Sequence, residues 1–304
     1  MKPVLLTLST IAFACLFSSC EKETTGTSTQ RSGKLTVQTT NYPLYYFAQR
    51  IAGDLIDLHF SIPGDIDPAF WEPGDEDLAA FQNADLIITN GATYEKWAET
   101  VSLPTNTQLD TSKVFSQAYV TEKGGTTHSH GDGVVHSHDG IAFTTWLNME
   151  YAKLQSEVIR DELVKQLPES KDSIYQNAAD LAADLDALDA ALIKVGENLT
   201  GTPLLGSHPV YQYLSRRYKL DIESVHWEPS VVPDDRAILE LEDKREVHLA
   251  NHMIWEGYPA EESVAKLGKM GINSVVFNPC GNRPDAGDWL SVMKENVAAL
   301  ESIK

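Results

Sequence analysis

The sequence predicts an α/β protein of two lobes, each with a mostly parallel sheet, linked by one long rigid helix. Two observations carry that prediction. Between Glu169 and Val195, apolar residues fall at Ile174, Ala178, Leu181, Leu185, Leu188, Leu192 and Val195. Steps of four and three put all seven on one stripe of a helix. At 1.5 Å per residue that helix is roughly 40 Å long, about the width of a domain. On both sides of it, short strand-like and helix-like segments alternate over comparable lengths, the pattern that builds parallel sheets. The 304 residues, 42% of them hydrophobic, are enough for two cores.

The long helix has two candidate starts: Ser170 as N-cap, or a capping box of Ser173 and Gln176. Gly196 stands where a C-cap wants positive φ. The face opposite the stripe carries Asp180, Asp184, Asp186 and Asp189 and holds no Lys or Arg to pair with them.

Residues 1–20 read as a signal peptide with a lipobox. Lys2 gives a basic start, Val4 to Phe17 an apolar run, and Ser18-Ser19-Cys20 a small-residue cleavage site. The run is too short for a comfortable membrane span. Cys20 is the expected lipidation site and mature N-terminus; a plain secretory signal is the alternative, because Phe17 stands where a lipobox usually has Leu. Residues 21–33, rich in Thr, Ser and Gly, read as a flexible tether. The expected location is extracytoplasmic and membrane-anchored. With Cys15 lost and Cys20 lipidated, Cys280 is the only thiol left, so no intrachain disulfide forms. A formal net charge of −20 excludes nucleic acid as a partner, since nothing neutralises phosphates. It attracts cations over a distance.

The first lobe is expected over 34–145. Leu35 to Thr39 alternates as a strand, and a turn at Asn41 to Pro43 leads to a helix from Leu44 to Ala52, ended by Gly53. Leu55 to Ile62 is the next strand, closed by Pro63-Gly64. Asp67 to Pro73 is an irregular aromatic loop. The acidic run Asp75-Glu76-Asp77 suits a helix entry; that helix ends near Asn83, and Leu86 to Thr89 is a buried-type strand. Ligands in such sheets sit beyond the carboxyl ends of the strands.

A helical linker region is expected over 146–200, with one helix from Trp146 to Leu167 before the long one. The second lobe is expected over 201–304. Its strands are Leu204 to Gly206, Leu220 to Val225, one within Val247 to Trp255, and Asn273 to Asn278. Its helices are Tyr211 to Tyr218, Arg236 to Lys244, Ala260 to Met270 and Asp288 to Ile303.

Residues 124–140 break the pattern. Four of the nine histidines, His128, His130, His136 and His138, occur there as two His-Ser-His pairs in a glycine-rich loop. Imidazoles two residues apart on a pliable backbone can converge on a cation such as zinc. Ordering such a loop costs entropy, so the binding is expected to be weak. No phosphate loop, nucleophile elbow or paired-Cys zinc motif occurs, and no nucleophile–base pair can be named, so an enzyme is not expected.

Several stretches, taken in order, resemble the zinc- and manganese-binding solute receptors of bacterial ABC importers. They are Asn41-Tyr42-Pro43-Leu44-Tyr45, Pro63-Gly64 with Trp71-Glu72-Pro73, Ala84-Asp85-Leu86, Asn90-Gly91-Ala92 and Glu95-Lys96-Trp97. The His-rich loop, Trp146-Leu147-Asn148 and Ser207-His208-Pro209 complete the set. The resemblance implies a membrane-anchored lipoprotein, monomeric, that captures zinc, or failing that manganese, in an inter-lobe cleft and feeds an ABC permease.

The resemblance also implies metal-ligand positions, and this chain departs at two of them. The family usually has His where Ala69 and Thr144 stand. The third position matches His208. The fourth lies in the last strand's exit loop, where Asn278-Pro279-Cys280 stands, which makes Cys280 a candidate thiolate partner. Glu72, Asp67, His226, Glu228, His252 and Glu256 are candidate substitutes that spacing does not rank. Two readings therefore stay open: a receptor with a rebuilt metal site, or a solute- or partner-binding protein on the same scaffold that has lost the high-affinity site.

Overall fold

Two four-stranded parallel sheets account for the alternation. In the computed structural model the described residues are 33–122, 127–129, 135–137 and 140–304. The leader, the tether, Cys20, His130 and His138 lie outside them. The first sheet belongs to a run of β1 (Leu35–Thr39), α1 (Tyr42–Ala52), β2 (Ile56–His59), α2 (Asp75–Asn83), β3 (Leu86–Thr89) and β4 (Gln108–Asp110). Its strand order is β2-β1-β3-β4, parallel throughout. Helix α1 starts at Tyr42, two residues before the expected Leu44. The Asn41 side chain accepts from the Leu44 N–H at 3.0 Å, and Pro43 lies in the first turn, where no N–H is required.

Short antiparallel ladders follow. β5 (Thr121–Glu122) pairs with β8 (Gly140–Ile141), and β6 (Thr127–Ser129) pairs with β7 (Val135–Ser137). Helices α3 (Met149–Gln166) and α4 (Lys171–Asn198) come next. α3 starts after Trp146 because Asn148 caps it, accepting from Glu150 N at 3.0 Å and Tyr151 N at 3.4 Å. The second sheet belongs to β9 (Pro203–Gly206), α5 (Gln212–Tyr218), β10 (Asp221–Ser224), α6 (Asp235–Val247), β11 (His252–Trp255), α7 (Glu261–Lys269) and β12 (Asn273–Val276), before the final α8 (Trp289–Glu301). Its order, β10-β9-β11-β12, is again parallel and repeats that of the first sheet. In both, the chain reverses its direction of progress across the sheet between the first and third strands, the point where open α/β sheets form a ligand crevice.

All seven stripe residues of α4 are buried. They belong to a continuous core that runs from α1 through α3 and α4 to α5 and α8. Smaller cores sit under the first sheet (Trp71, Phe81, Trp97) and the second (Trp227, Trp255, Leu267). α8 also reaches α1: Trp289 packs edge-on against Phe47, with centroids 5.1 Å apart.

Two local expectations for α4 are corrected. Ser173 makes no capping box; its hydroxyl donates to the Ser170 carbonyl at 2.8 Å, while Ser170 is the N-cap residue without a side-chain cap bond. Gly196 is not the C-cap either, because the helix continues to Asn198. What requires glycine is space, since a Cβ there would stand 2.0 Å from the Tyr218 carbonyl oxygen.

Candidate metal centre

Three loops at the carboxyl edge of the second sheet are tied together by Ser207, the residue after β9. Its N–H donates to Ile254 O at 2.8 Å and its carbonyl accepts from Trp227 N at 2.7 Å. Its hydroxyl accepts from Glu256 N at 3.3 Å. The loop leaving β9, the loop leaving β10 and the loop leaving β11 are therefore held in register at the sheet's reversal point.

That junction gathers His208, Glu228 and Glu256. One ligand atom from each lies within 4.8 Å of the others. His208 Nδ1 stands 3.6 Å from Glu228 Oε1 and 3.7 Å from Glu256 Oε1. His208 is buried, at 4% exposure. The two glutamates are half-buried, so the group opens to solvent on the carboxylate side. Burial raises the Glu256 pKa well above the carboxylate range, and the Glu228 and Asp67 charges add to that. Asp67 belongs to the first lobe. It caps the short turn Pro68–Phe70, accepting from Ala69 N at 2.9 Å, and its charge bears on Glu256 from there. An imidazole and carboxylates packed this closely form a donor set for a divalent cation, whose charge offsets their repulsion.

The two departed positions offer no imidazole. Ala69 is buried in the core. The Thr144 hydroxyl donates to the carbonyl of Val210 at 2.6 Å, holding the loop that carries His208.

Cys280 is not brought into the group. Its thiol is buried, donates to Asn282 O at 3.7 Å, and is pushed by burial up to about 12. Metal ligation needs the thiolate, which that environment opposes. The loop carrying Cys280 fastens to the first lobe instead. Tyr42 N donates to Gly281 O at 2.8 Å and Asn282 Nδ2 to Pro63 O and Ile66 O at 2.6 and 2.7 Å, while Trp146 Nε1, at the start of the linker region, donates to Pro279 O at 2.8 Å. His252 begins β11 and lies at the opposite end of that strand from Glu256, with Nδ1 2.7 Å from Asn251 Oδ1. Glu72 is not in the group. His226 stands beside it, its ring edge-on to that of His208 with centroids 5.8 Å apart. In the His-rich loop, β6 and β7 set the backbone of His128 opposite that of His136.

Glu228 and Glu256 stood in the sequence without rank. Each follows a strand of the second sheet, directly in the case of Glu256 after Trp255, and that position was the available signal. Choosing them needed the strand order, which puts β10, β9 and β11 side by side.

Two parallel-sheet lobes joined by a long helix, with cation donors at a sheet's reversal point, define a two-lobe receptor scaffold of the metal-binding class. The chain belongs to the family described as "Zinc-uptake complex component A periplasmic", whose sequence profile matches residues 37–303. It is 25% identical over 306 residues to the high-affinity zinc uptake system protein ZnuA of Bacillus subtilis, covering 94% of this chain and 93% of that protein. It is 26% identical over 313 residues to the zinc-binding lipoprotein AdcA of Streptococcus pneumoniae, covering 99% of this chain but only 61% of that protein's length. In fold it matches the metal-dependent lipoprotein YcdH of Bacillus subtilis with a TM-score of 0.74 at 23% identity, over 88% of this chain and 98% of that one.

Proposed function

We propose that this chain is the extracytoplasmic receptor of an ABC importer for a first-row divalent metal, zinc first and manganese second. It captures the ion at the edge of the second sheet and delivers it to a permease. The observation that carries this reading is the convergence of His208, Glu228 and Glu256 from three adjacent strands at a sheet's reversal point. His208 supplies nitrogen, and Glu228 and Glu256 supply oxygen, a mixed set that suits zinc and manganese alike. Relatives named as zinc-binding and as iron ABC transporter substrate-binding lipoproteins support a transported metal rather than a catalytic one.

In this reading residues 1–20 are a lipobox leader that anchors the mature protein through Cys20, and 21–33 tether it. Residues 34–145 and 201–304 form the lobes, with the linker at 146–200. His128, His130, His136 and His138 act as a weak collector that raises the local metal concentration. The protein works as a monomer and catalyses no reaction. Among the described residues no helix is long and apolar enough to cross a membrane. In this reading the lipid on Cys20 carries the anchoring, and Cys20→Ala is expected to release the protein from the membrane fraction. The gathered donors favour this reading over a scaffold that has lost its site.

The test is calorimetric titration of zinc and manganese into the full chain with the four loop histidines replaced by Ser. One saturable site is expected, weakened by His208→Ala. A protein that binds neither metal in that background overturns the reading.

A further inference from the structure

We infer that His226 is a metal ligand, and that all protein donors of the site therefore come from the second lobe. The inference rests on the metal-receptor reading and assigns its missing imidazole. Trp227 fixes the geometry. Its N–H is bonded to Ser207 O at 2.7 Å, as the Val225 N–H is to Gly206 O at 2.8 Å, which fastens the segment after β10 to the start of the loop leaving β9. Trp227 is buried against Trp255, with centroids 6.2 Å apart, so its side chain points into the lobe's core. His226 and Glu228, on either side of it, both lie against His208: the His226 ring is 5.8 Å from the His208 ring, and Glu228 Oε1 is 3.6 Å from His208 Nδ1.

The separation of the rings fits a shared ion. Metal–nitrogen bonds of about 2.1 Å put each imidazole centroid about 3.2 Å from the ion, so two imidazoles at a tetrahedral angle have centroids about 5.2 Å apart. The His226 and His208 centroids are 5.8 Å apart; the His226 nitrogens stand outside the group that His208, Glu228 and Glu256 form, so coordination requires this exposed side chain to rotate toward them. His208, His226, Glu228 and Glu256 then complete four donors without an imidazole at Ala69 or Thr144. Because three adjacent loops of one sheet carry all four, the ion seats on the second lobe alone, at a mouth that His226 leaves open to solvent. Zinc, cobalt(II) and manganese(II) are the cations such a two-imidazole, two-carboxylate set accepts.

The experiment uses the full chain with His128, His130, His136 and His138 replaced by Ser, titrated with zinc and examined by zinc K-edge X-ray absorption. Two imidazoles per zinc are expected. His226→Ala should reduce the number to one and weaken zinc binding about tenfold or more, with the metal-free variant still unfolding in one cooperative transition. A single imidazole in the parent, or affinity unaltered by His226→Ala, overturns the assignment and leaves the receptor reading standing. Absence of zinc binding in the parent overturns both.

Discussion

Arg217 grips Asp189 with two parallel bonds, Nε to Oδ1 at 3.1 Å and Nη2 to Oδ2 at 2.7 Å, and so fastens α5 to the long helix α4. Asp189 also accepts from the Tyr218 hydroxyl at 2.9 Å, and its bond to Arg217 raises the guanidinium pKa further. Both side chains are more than two-thirds buried, at 29% and 18% exposure, which puts the pair above the worth of a fully exposed one. Arg217→Ala is expected to cost about 1–2 kcal/mol in urea unfolding. Arg217→Lys should recover little of it, because an ammonium cannot make the paired contact. Full recovery by Lys would show that charge alone is needed.

The same pair shows what the sequence could and could not reveal. The acidic face of α4 was legible as a face, since its period follows from the stripe opposite. Its partners were not, because they come from elsewhere: Arg50 to Asp184 at 2.7 Å, Lys153 to Asp186 at 2.8 Å, and Arg217 to Asp189. Periodicity reports which residues share a surface, but only the fold brings α1, α3 and α5 against it. The metal site divides in the same way. His208 was marked by its local motif, whereas Glu228 and Glu256 depend on which strands are neighbours. Cys280 was placed by position along the chain, and its loop turned out to clasp the first lobe.

Gly196 tests packing against propensity. Alanine is the better helix former by about 1 kcal/mol, so propensity alone has Gly196→Ala stabilise α4. A Cβ 2.0 Å from Tyr218 O has only backbone to push against. The expected outcome is a loss of about 2 kcal/mol or more by thermal or urea unfolding. A gain in stability would show that α5 can slide away from α4 at no cost.

Glu95 sits inside the first lobe, where it accepts from Thr40 Oγ1 at 2.5 Å, Asn90 N at 2.6 Å and Gly91 N at 3.1 Å. Burial raises its pKa to about 7 against those donors. The folded state then holds the proton more tightly than the unfolded state does. Its contribution is fully present below the unfolded value near 4.5 and is lost as pH rises through about 7. Glu95→Gln is expected to flatten the fall in stability between pH 5 and pH 8, measured by denaturant titration at each pH. An unchanged slope would place the titration elsewhere.

Glu256 should be costly to the metal-free protein and necessary to the loaded one. Burial, then Glu228 and Asp67, raise its pKa well above the carboxylate range, so the metal-free fold resists its ionisation. As with Glu95, the raised folded value means the penalty is absent in acid and grows as pH rises through it. Glu256→Gln keeps the shape and removes the charge. The metal-free variant should therefore unfold at a higher temperature than the parent at pH 8, with the difference shrinking toward pH 5. Its zinc and manganese affinity should fall about tenfold or more, since an amide oxygen is a weaker donor than a carboxylate. The two effects have opposite signs because the repulsion that strains the empty site is what a divalent cation relieves. A variant that loses both stability and affinity would mark Glu256 as structural, and one that keeps its affinity would move the ion away from this carboxylate.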